Sequence, residues 1–336
     1  MDLMKKPKVI CLTPVRNDSW ILDRFLKTAS LWADHIIIAD QNSTDNSKNI
    51  CEKYEKVILI DNPFSHFSEY EMRTLLLNES RKIEGKHVLI YLDSDEILTP
   101  NFDSVEWDTI VNAKEGTMFL ASRVNFKKGM NDVWSEEDYI FGFIDDGSDY
   151  DDFGLIHKSR VPKPEKRYKI CLNDVKILHF QFTDWQRMLS KHRWFNCFEK
   201  FSYKNKSVVD IFRIYNYVKH IQPKKTLNIR MDSYVKSYSK YCVDITSVNS
   251  ESLIWYEKLV LDYMDQCGTK FFSHLNIWDV NWVSIAEKWD YPNPEKYKDP
   301  RNKLEKLINR WLISTQSKKN NFWIVQLDKI LKLFYK

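Results

Sequence analysis

The sequence predicts an α/β fold, a mainly parallel sheet flanked by helices, followed by a helical C-terminal region. Three observations carry that prediction. The first hundred residues alternate β-branched runs with segments of helical spacing. Each run is apolar throughout, as strands buried on both faces of a parallel sheet must be. From about Thr183 onward the runs give way to long, aromatic, helically spaced segments.

Taken in order, "KVICLTPV" reads as the first strand and "SWILDRFLKTASLWA" as the helix that returns from it. "HIIIAD" is the second strand, and "STDNSKNICEKY" opens with residues that favour a helix N-terminus. "KVILIDN" follows as a third strand, "SEYEMRTLLLNESRKI" as a helix and "HVLIYLD" as a fourth strand. After Pro100 the pattern loosens, with "GTMFLASRVNF" as a further strand. Residues Gly129 to His157 then hold nine acids and no Lys or Arg, which reads as a solvated or closing lid. The helical text comprises "DWQRMLSKHRWFNCFEKF", "ESLIWYEKLVLDYMDQC", "PRNKLEKLINRWLIST" and "NFWIVQLDKILKLFYK". The expected division is 1–182 for the α/β domain and 183–336 for the helical extension.

Bulk properties narrow the function. A formal charge of +4 from 51 basic and 47 acidic residues is too balanced for a protein that neutralises a nucleic-acid backbone. Its basic excess gathers at the end, where Lys303 to Lys336 holds eight Lys/Arg against two acids. The six cysteines lie far apart without a CxxC pair, which suggests reduced thiols and no zinc module. Met1 to Lys8 lacks an apolar signal core and no later stretch is a membrane span, so the expected location is cytoplasmic.

The fourth strand runs into Asp93, Asp95 and Glu96. Ligands of parallel sheets bind beyond the strand C-termini, so these acids, like Asp40 after the second strand, fall at the mouth of a crevice. Two carboxylates one residue apart can hold a hard divalent cation and leave positions for phosphate oxygens; a lone D-x-D can equally be a solvated turn. Neither G-x-G-x-x-G nor G-x-x-x-x-G-K-[ST] occurs, which removes the usual glycine cradles for phosphate.

"TPVRNDSWILDRFLKTA", "IIIADQNSTDNS" and "VLIYLDSDEIL", in this order and spacing, resemble the family 2 glycosyltransferases of the GT-A fold. The resemblance spans about residues 8–100, more faintly 116–195. It implies a mixed central sheet, with a donor-binding part over 1–100 and an acceptor and base region over 101–182. It further implies transfer of a sugar from a nucleoside diphosphate donor, most simply a UDP-sugar, to a hydroxyl of a glycan or glycolipid acceptor. Asp93 and Asp95 would hold Mn²⁺ or Mg²⁺, a Lewis acid for the departing diphosphate. Asp40 would read the uracil or ribose, with Pro14, Arg16, Asn17, Arg73 and Ser94 around the donor.

An inverting enzyme of this kind needs a carboxylate base, and "DFGLIHK" is the nearest match to the family's segment. It points to Asp152, with Asp151 and Glu137 in reserve, although Ile156 and His157 depart from the family pattern. His179, after "VKIL", matches a family histidine that faces the metal or diphosphate, or else is a satisfied core residue. Arg187, Lys191 and Arg193 read as a solvated helix face, with diphosphate or an anionic acceptor as the other reading. The basic, aromatic last segment either packs on the protein or also lies on an anionic membrane at the inner face of the cell.

The expected role is therefore in bacterial polysaccharide or lipopolysaccharide synthesis. A nucleotidyltransferase acting on sugar phosphates shares the sheet and paired acids, yet wants a glycine-rich loop where "TPVRNDSW" has no glycine. A non-catalytic sugar-binding module of the same fold is the third reading.

Overall fold

The computed structural model describes residues 6–334 apart from 65, 128–129, 131, 152–158, 164–165, 167, 221–230 and 249–252. The chain divides into two compact units, Met1–Asp184 with Lys224–Asn249, and Trp185–Pro223 with Ser250–Lys336. The strands are β1 (Lys8–Val15), β2 (His35–Asp40), β3 (Val57–Asp61), β4 (His87–Tyr91), β5 (Glu96–Leu98), β6 (Thr117–Lys127), β7 (Asp132–Ile144), β8 (Tyr168–Cys171) and β9 (Ile177–His179). The first unit's helices are α1 (Leu22–Ala29), α2 (Ser47–Cys51), α3 (Glu69–Ser80) and α4 (Val105–Val111), and the second unit opens with α5 (Trp185–Ser202) and α6 (Val208–Tyr215). A returning helix, α7 (Met231–Ser239), belongs to the first unit; α8 (Trp255–Cys267), α9 (Trp282–Lys288), α10 (Lys303–Thr315) and α11 (Phe322–Phe334) complete the second.

The strands form one sheet in the order β3-β2-β1-β4-β7-β6-β9-β5, with β8 beside β6. Pairing is parallel from β3 to β4 and antiparallel where β7 joins β4 and β6 and where β5 joins β9, so the sheet is mixed and mainly parallel. Strand periodicity sorts the apolar runs onto two faces. Ile10, Leu12, Ile37, Ala39, Leu89 and Tyr91 pack with Leu76 and Leu77 of α3. Val9, Cys11, Ile36, Ile38, Val88 and Ile90 pack with Phe25 and Leu26 of α1 and Trp107 and Ile110 of α4. Burial on both sides is why these strands carry no polar alternation.

One expectation fails here. Half of the acidic stretch read as a lid is strand β7, at the centre of the sheet. Its register puts Gly142 opposite Ile90, where a Cβ would lie 2.6 Å from the Leu89 carbonyl oxygen. Glycine is required there because backbone approaches backbone.

The returning segment closes the first unit. Tyr238 is fully buried and its hydroxyl donates to the Leu98 carbonyl, while Val243 and Ile245 join the core. Arg24 stacks on Phe180 at 4.8 Å and donates to the Ser247 carbonyl.

In the second unit Trp194 of α5 meets Tyr256 of α8 at 5.5 Å. Arg187 and Arg193, expected on a solvated face, are both buried; Arg193 forks onto Asp279 at 2.8 and 3.2 Å and Arg187 lies over Tyr256 at 5.6 Å. A guanidinium carries enough apolar and π surface to pack inside once its charge is matched. Among the described residues no helix is long and apolar enough to cross a membrane.

Replacing Gly142 with Ala is expected to destabilise the protein by about 1–3 kcal/mol through forced backbone separation. Chemical denaturation of the two proteins would show it as a lower midpoint with an unchanged slope.

Candidate active site

The site grows from the turn between β4 and β5. Asp93 accepts the Glu96 N–H at 2.9 Å through its carbonyl, and the Glu96 carboxylate accepts the Asp93 N–H at 3.1 Å. Those reciprocal bonds close the turn and drive Glu96 inward to 0% exposure. Its charge is matched from two distant strands and loops: Arg123 of β6 reaches Oε1 at 3.3 Å, and Arg160 reaches Oε1 at 3.1 Å and also contacts Oε2. Burial alone would raise the Glu96 carboxyl, but the two guanidiniums hold it below the usual carboxylate range. Arg160 also bonds Asp93 at 2.6 Å, and Tyr139 lies within cation–π range of both arginines, at 4.0 and 4.9 Å.

Asp95 points the other way, buried, with its Oδ1 3.6 Å from Nε2 of His179. His179 sits opposite Glu96 in the β5–β9 pairing, and its Nδ1 lies 2.6 Å from the Asn125 carboxamide oxygen. That oxygen can only accept, so Nδ1 carries a hydrogen and Nε2 faces Asp95. An imidazole nitrogen and a carboxylate oxygen that face one another can be bridged by a proton or a cation. At bond lengths of about 2.1 Å, atoms 3.6 Å apart can ligate one ion. The donor set suits a divalent metal. Among the described residues, however, no three His, Cys, Asp or Glu side chains converge on one metal position. Asp93 is turned to Arg160 while Asp95 is turned to His179.

A crevice at the ends of β1 and β4 is lined by Leu12, Pro14, Arg73, Tyr91, Asp93 and Arg160. Arg73 on α3 is held by Glu69 at 3.1 Å and the Ser159 carbonyl at 2.9 Å. Ser94 is buried in the turn. Beside this crevice the loops after β1 and β2 are stitched together. Asn17, at φ 52°, accepts from the Thr44 N–H at 2.7 Å, and its own N–H donates to Ser43 at 2.9 Å. Arg16, on the same turn, is half-buried. Asp40 is buried at the end of β2, paired in register with Val15; its Oδ2 accepts from Ser43 at 3.1 Å and faces Lys48 at 3.4 Å. Among the described residues no donor reaches its buried Oδ1.

The candidate bases fare differently. Asp152 lies outside the described residues. Asp151 is exposed and bonded to Lys163 at 3.0 Å. Glu137 is exposed on β7 and accepts from Ser122 and Ser135 at 2.5 Å each. Other acids of that stretch have structural partners, since Arg81 holds Asp145 and Asp149 and Arg123 holds Glu136. Arg123, Arg160, Asn125 and Tyr139 were not singled out from sequence. The signal available in sequence was the short basic segment Lys158–Lys163, which contains Arg160 and follows the acid-rich stretch.

A mixed sheet with an acid-bearing turn at the C-terminal end of its central parallel strand, beside a crevice, is the arrangement of an α/β domain whose ligand sits beyond the strand ends. Residues 11–171 match the model of glycosyl transferase family 2. No curated protein sequence matches the chain. Among solved structures it is similar to glucosyl-3-phosphoglycerate synthase from Mycobacterium tuberculosis, in complex with Mn²⁺, UDP and glucosyl-3-phosphoglycerate. That match has 17% identity and a TM-score of 0.28, covering 35% of this chain and 44% of that one. The chain thus spans under half the length of that protein. HddC from Yersinia pseudotuberculosis is similar at 10% identity and a TM-score of 0.28, over 51% of this chain and 92% of that one.

Because the folded-state pKa of Glu96 lies below its unfolded value of about 4.3, its contribution to stability is full above that value and fades as pH falls through the folded one. Glu96→Gln, which takes from Arg123 and Arg160 the charge they share, is expected to cost about 1–3 kcal/mol at neutral pH, and the deficit should shrink as pH falls below about 4.3. Urea titrations across this range measure both.

Proposed function

We propose that the protein is a metal-dependent glycosyltransferase that moves a sugar from a nucleoside diphosphate donor, most simply a UDP-sugar, to an acceptor hydroxyl. The match of residues 11–171 to the model of glycosyl transferase family 2 supports the reaction class. The observation that carries the metal is the Asp95–His179 pair, whose facing oxygen and nitrogen stand 3.6 Å apart beside the β4–β5 turn. Mn²⁺ or Mg²⁺ bound there supplies a Lewis acid for the leaving diphosphate.

The chain's own residues do the rest. Asn125 fixes the His179 tautomer and ring plane, the usual task of a group behind a metal-binding histidine. Asp93 and Arg160 line the crevice together, which supports a role for the guanidinium toward diphosphate oxygens and for the carboxylate toward the cation. Asp40 Oδ1 accepts from the uracil N–H or a ribose hydroxyl, with Pro14, Arg16, Asn17, Arg73 and Ser94 shaping the donor site. A carboxylate of the 137–152 stretch, Asp152 first and Asp151 or Glu137 after it, takes the acceptor's proton in an inverting displacement. The acceptor class is a bacterial glycan or glycolipid, of the polysaccharide or lipopolysaccharide kind.

The test is release of nucleotide from a panel of nucleotide sugars with and without Mn²⁺. Nucleoside diphosphate appearing only with metal supports the reading. Pyrophosphate would make the protein a nucleotidyltransferase, and no turnover with any donor would leave a binding module. Asp95→Asn and His179→Ala are each expected to lower kcat by about 100-fold or more. Asn125→Ala should instead shift half-saturation by Mn²⁺ about 10- to 100-fold upward and largely spare kcat at saturating metal. Asp40→Asn should raise KM for the donor in steady-state assays, with kcat little changed.

A further inference from the structure

Helix α11 has an inner and an outer face of opposite character. Inward, Asp328 is forked by Arg213 of α6 at 3.0 Å on each oxygen, Leu331 packs with Val209, Phe212 and Leu312, and Lys332 pairs with Asp210 at 2.6 Å. At 100° per residue, Phe322, Leu333, Ile330, Trp323, Phe334 and Leu327 fall on the complementary arc, about 140° wide. All six are exposed, Trp323 by 72% and Phe334 by 76%. A helix that has buried one face by packing normally shows water a polar remainder, so this outer face is itself an interaction surface.

The exposed charges of the C-terminal segment itself are of one sign. Between 303 and 334 the exposed ionic residues are Lys303, Lys306, Arg310, Lys318, Lys319 and Lys329. Both acids of the segment are buried in ion pairs, Glu305 with Lys270 and Asp328 with Arg213. Lys318 and Lys319 stand at the entry to α11, and Lys329 borders the apolar arc. A second copy of this chain would bring the same cations against one another, whereas an anionic surface would neutralise them. With 13 residues the helix is too short to span a bilayer, which takes about 20.

We infer that α11 lies in the interface of an anionic phospholipid bilayer, its aromatic and aliphatic face in the headgroup–acyl boundary and Lys318, Lys319 and Lys329 on the lipid phosphates. The inference stands apart from the chemistry of the first unit and does not need it.

Flotation of the full chain with phosphatidylcholine vesicles, plain or containing about one-third phosphatidylglycerol, tests it. The native protein should float with the anionic vesicles and be released toward about 1 M salt, where the Debye length is near 3 Å. Two triple variants address the two halves of the surface. Trp323→Ser with Ile330→Ser and Phe334→Ser removes the apolar face, and Lys318→Glu with Lys319→Glu and Lys329→Glu reverses the charge. Each is expected to lower partitioning on the order of 100-fold while circular dichroism and thermal unfolding stay native, since every altered side chain is exposed. Failure of the native chain to float, or unchanged flotation of both variants, overturns the proposal. So does a native dimer in sedimentation that the apolar variant dissolves without any vesicle binding, because the face would then be a self-association surface.

Discussion

A carboxylate with no access to water needs its counter-charge built in, and the first unit is organised around that need at Glu96. The turn that carries the acid into the interior also fixes Asp93 and Asp95 on either side of it. Arg123 comes from β6 and Arg160 from beyond β7, so the far half of the sheet must be in place before the charge is matched. Leaving such a charge single costs several kcal/mol, whereas the matched set gives little net stability over an apolar core. What the arrangement contributes is position. It sends Asp95 to His179 and Asp93 to the crevice.

Two neighbouring acids thereby acquire separate environments. Asp95 is enclosed with an imidazole, in a setting where a cation gains full electrostatic value because water is scarce. Asp93 keeps a half-exposed side chain beside a guanidinium at the mouth. The same economy of means appears at the ends of β1 and β2, where Asn17 accepts a backbone N–H from the loop after β2, so that Asp40 is approached by a rigid wall.

The four parallel strands could be read from sequence because enclosure on both faces leaves continuous apolar runs, a signal that needs no partner to interpret. The acids at strand ends were legible for a related reason: a charge after such a run has to sit at the sheet's edge. Which acid does what was not legible. Glu96 looks like Asp95 in one dimension, and its partners Arg123 and Arg160 lie 27 and 64 residues away. Strand β7 was hidden because Glu136, Glu137 and Asp138 interrupt it, with Asp138 at a positive φ of 55° near the irregular register with β6. Arg187 and Arg193 misled in the opposite sense, read with Lys191 as a solvated helix face where an aromatic ring and Asp279 enclose them.

The path of the chain also matters to anyone wishing to isolate the sheet. It leaves the first unit after Asp184 and comes back for Lys224–Asn249, where Tyr238 plugs a space beside Leu98 and Ser247 secures Arg24. A polypeptide cut at 184 would lack its own stopper and expose the lining of that space. The smallest piece that keeps this packing is therefore discontinuous, and trimming from the C-terminus does not yield it.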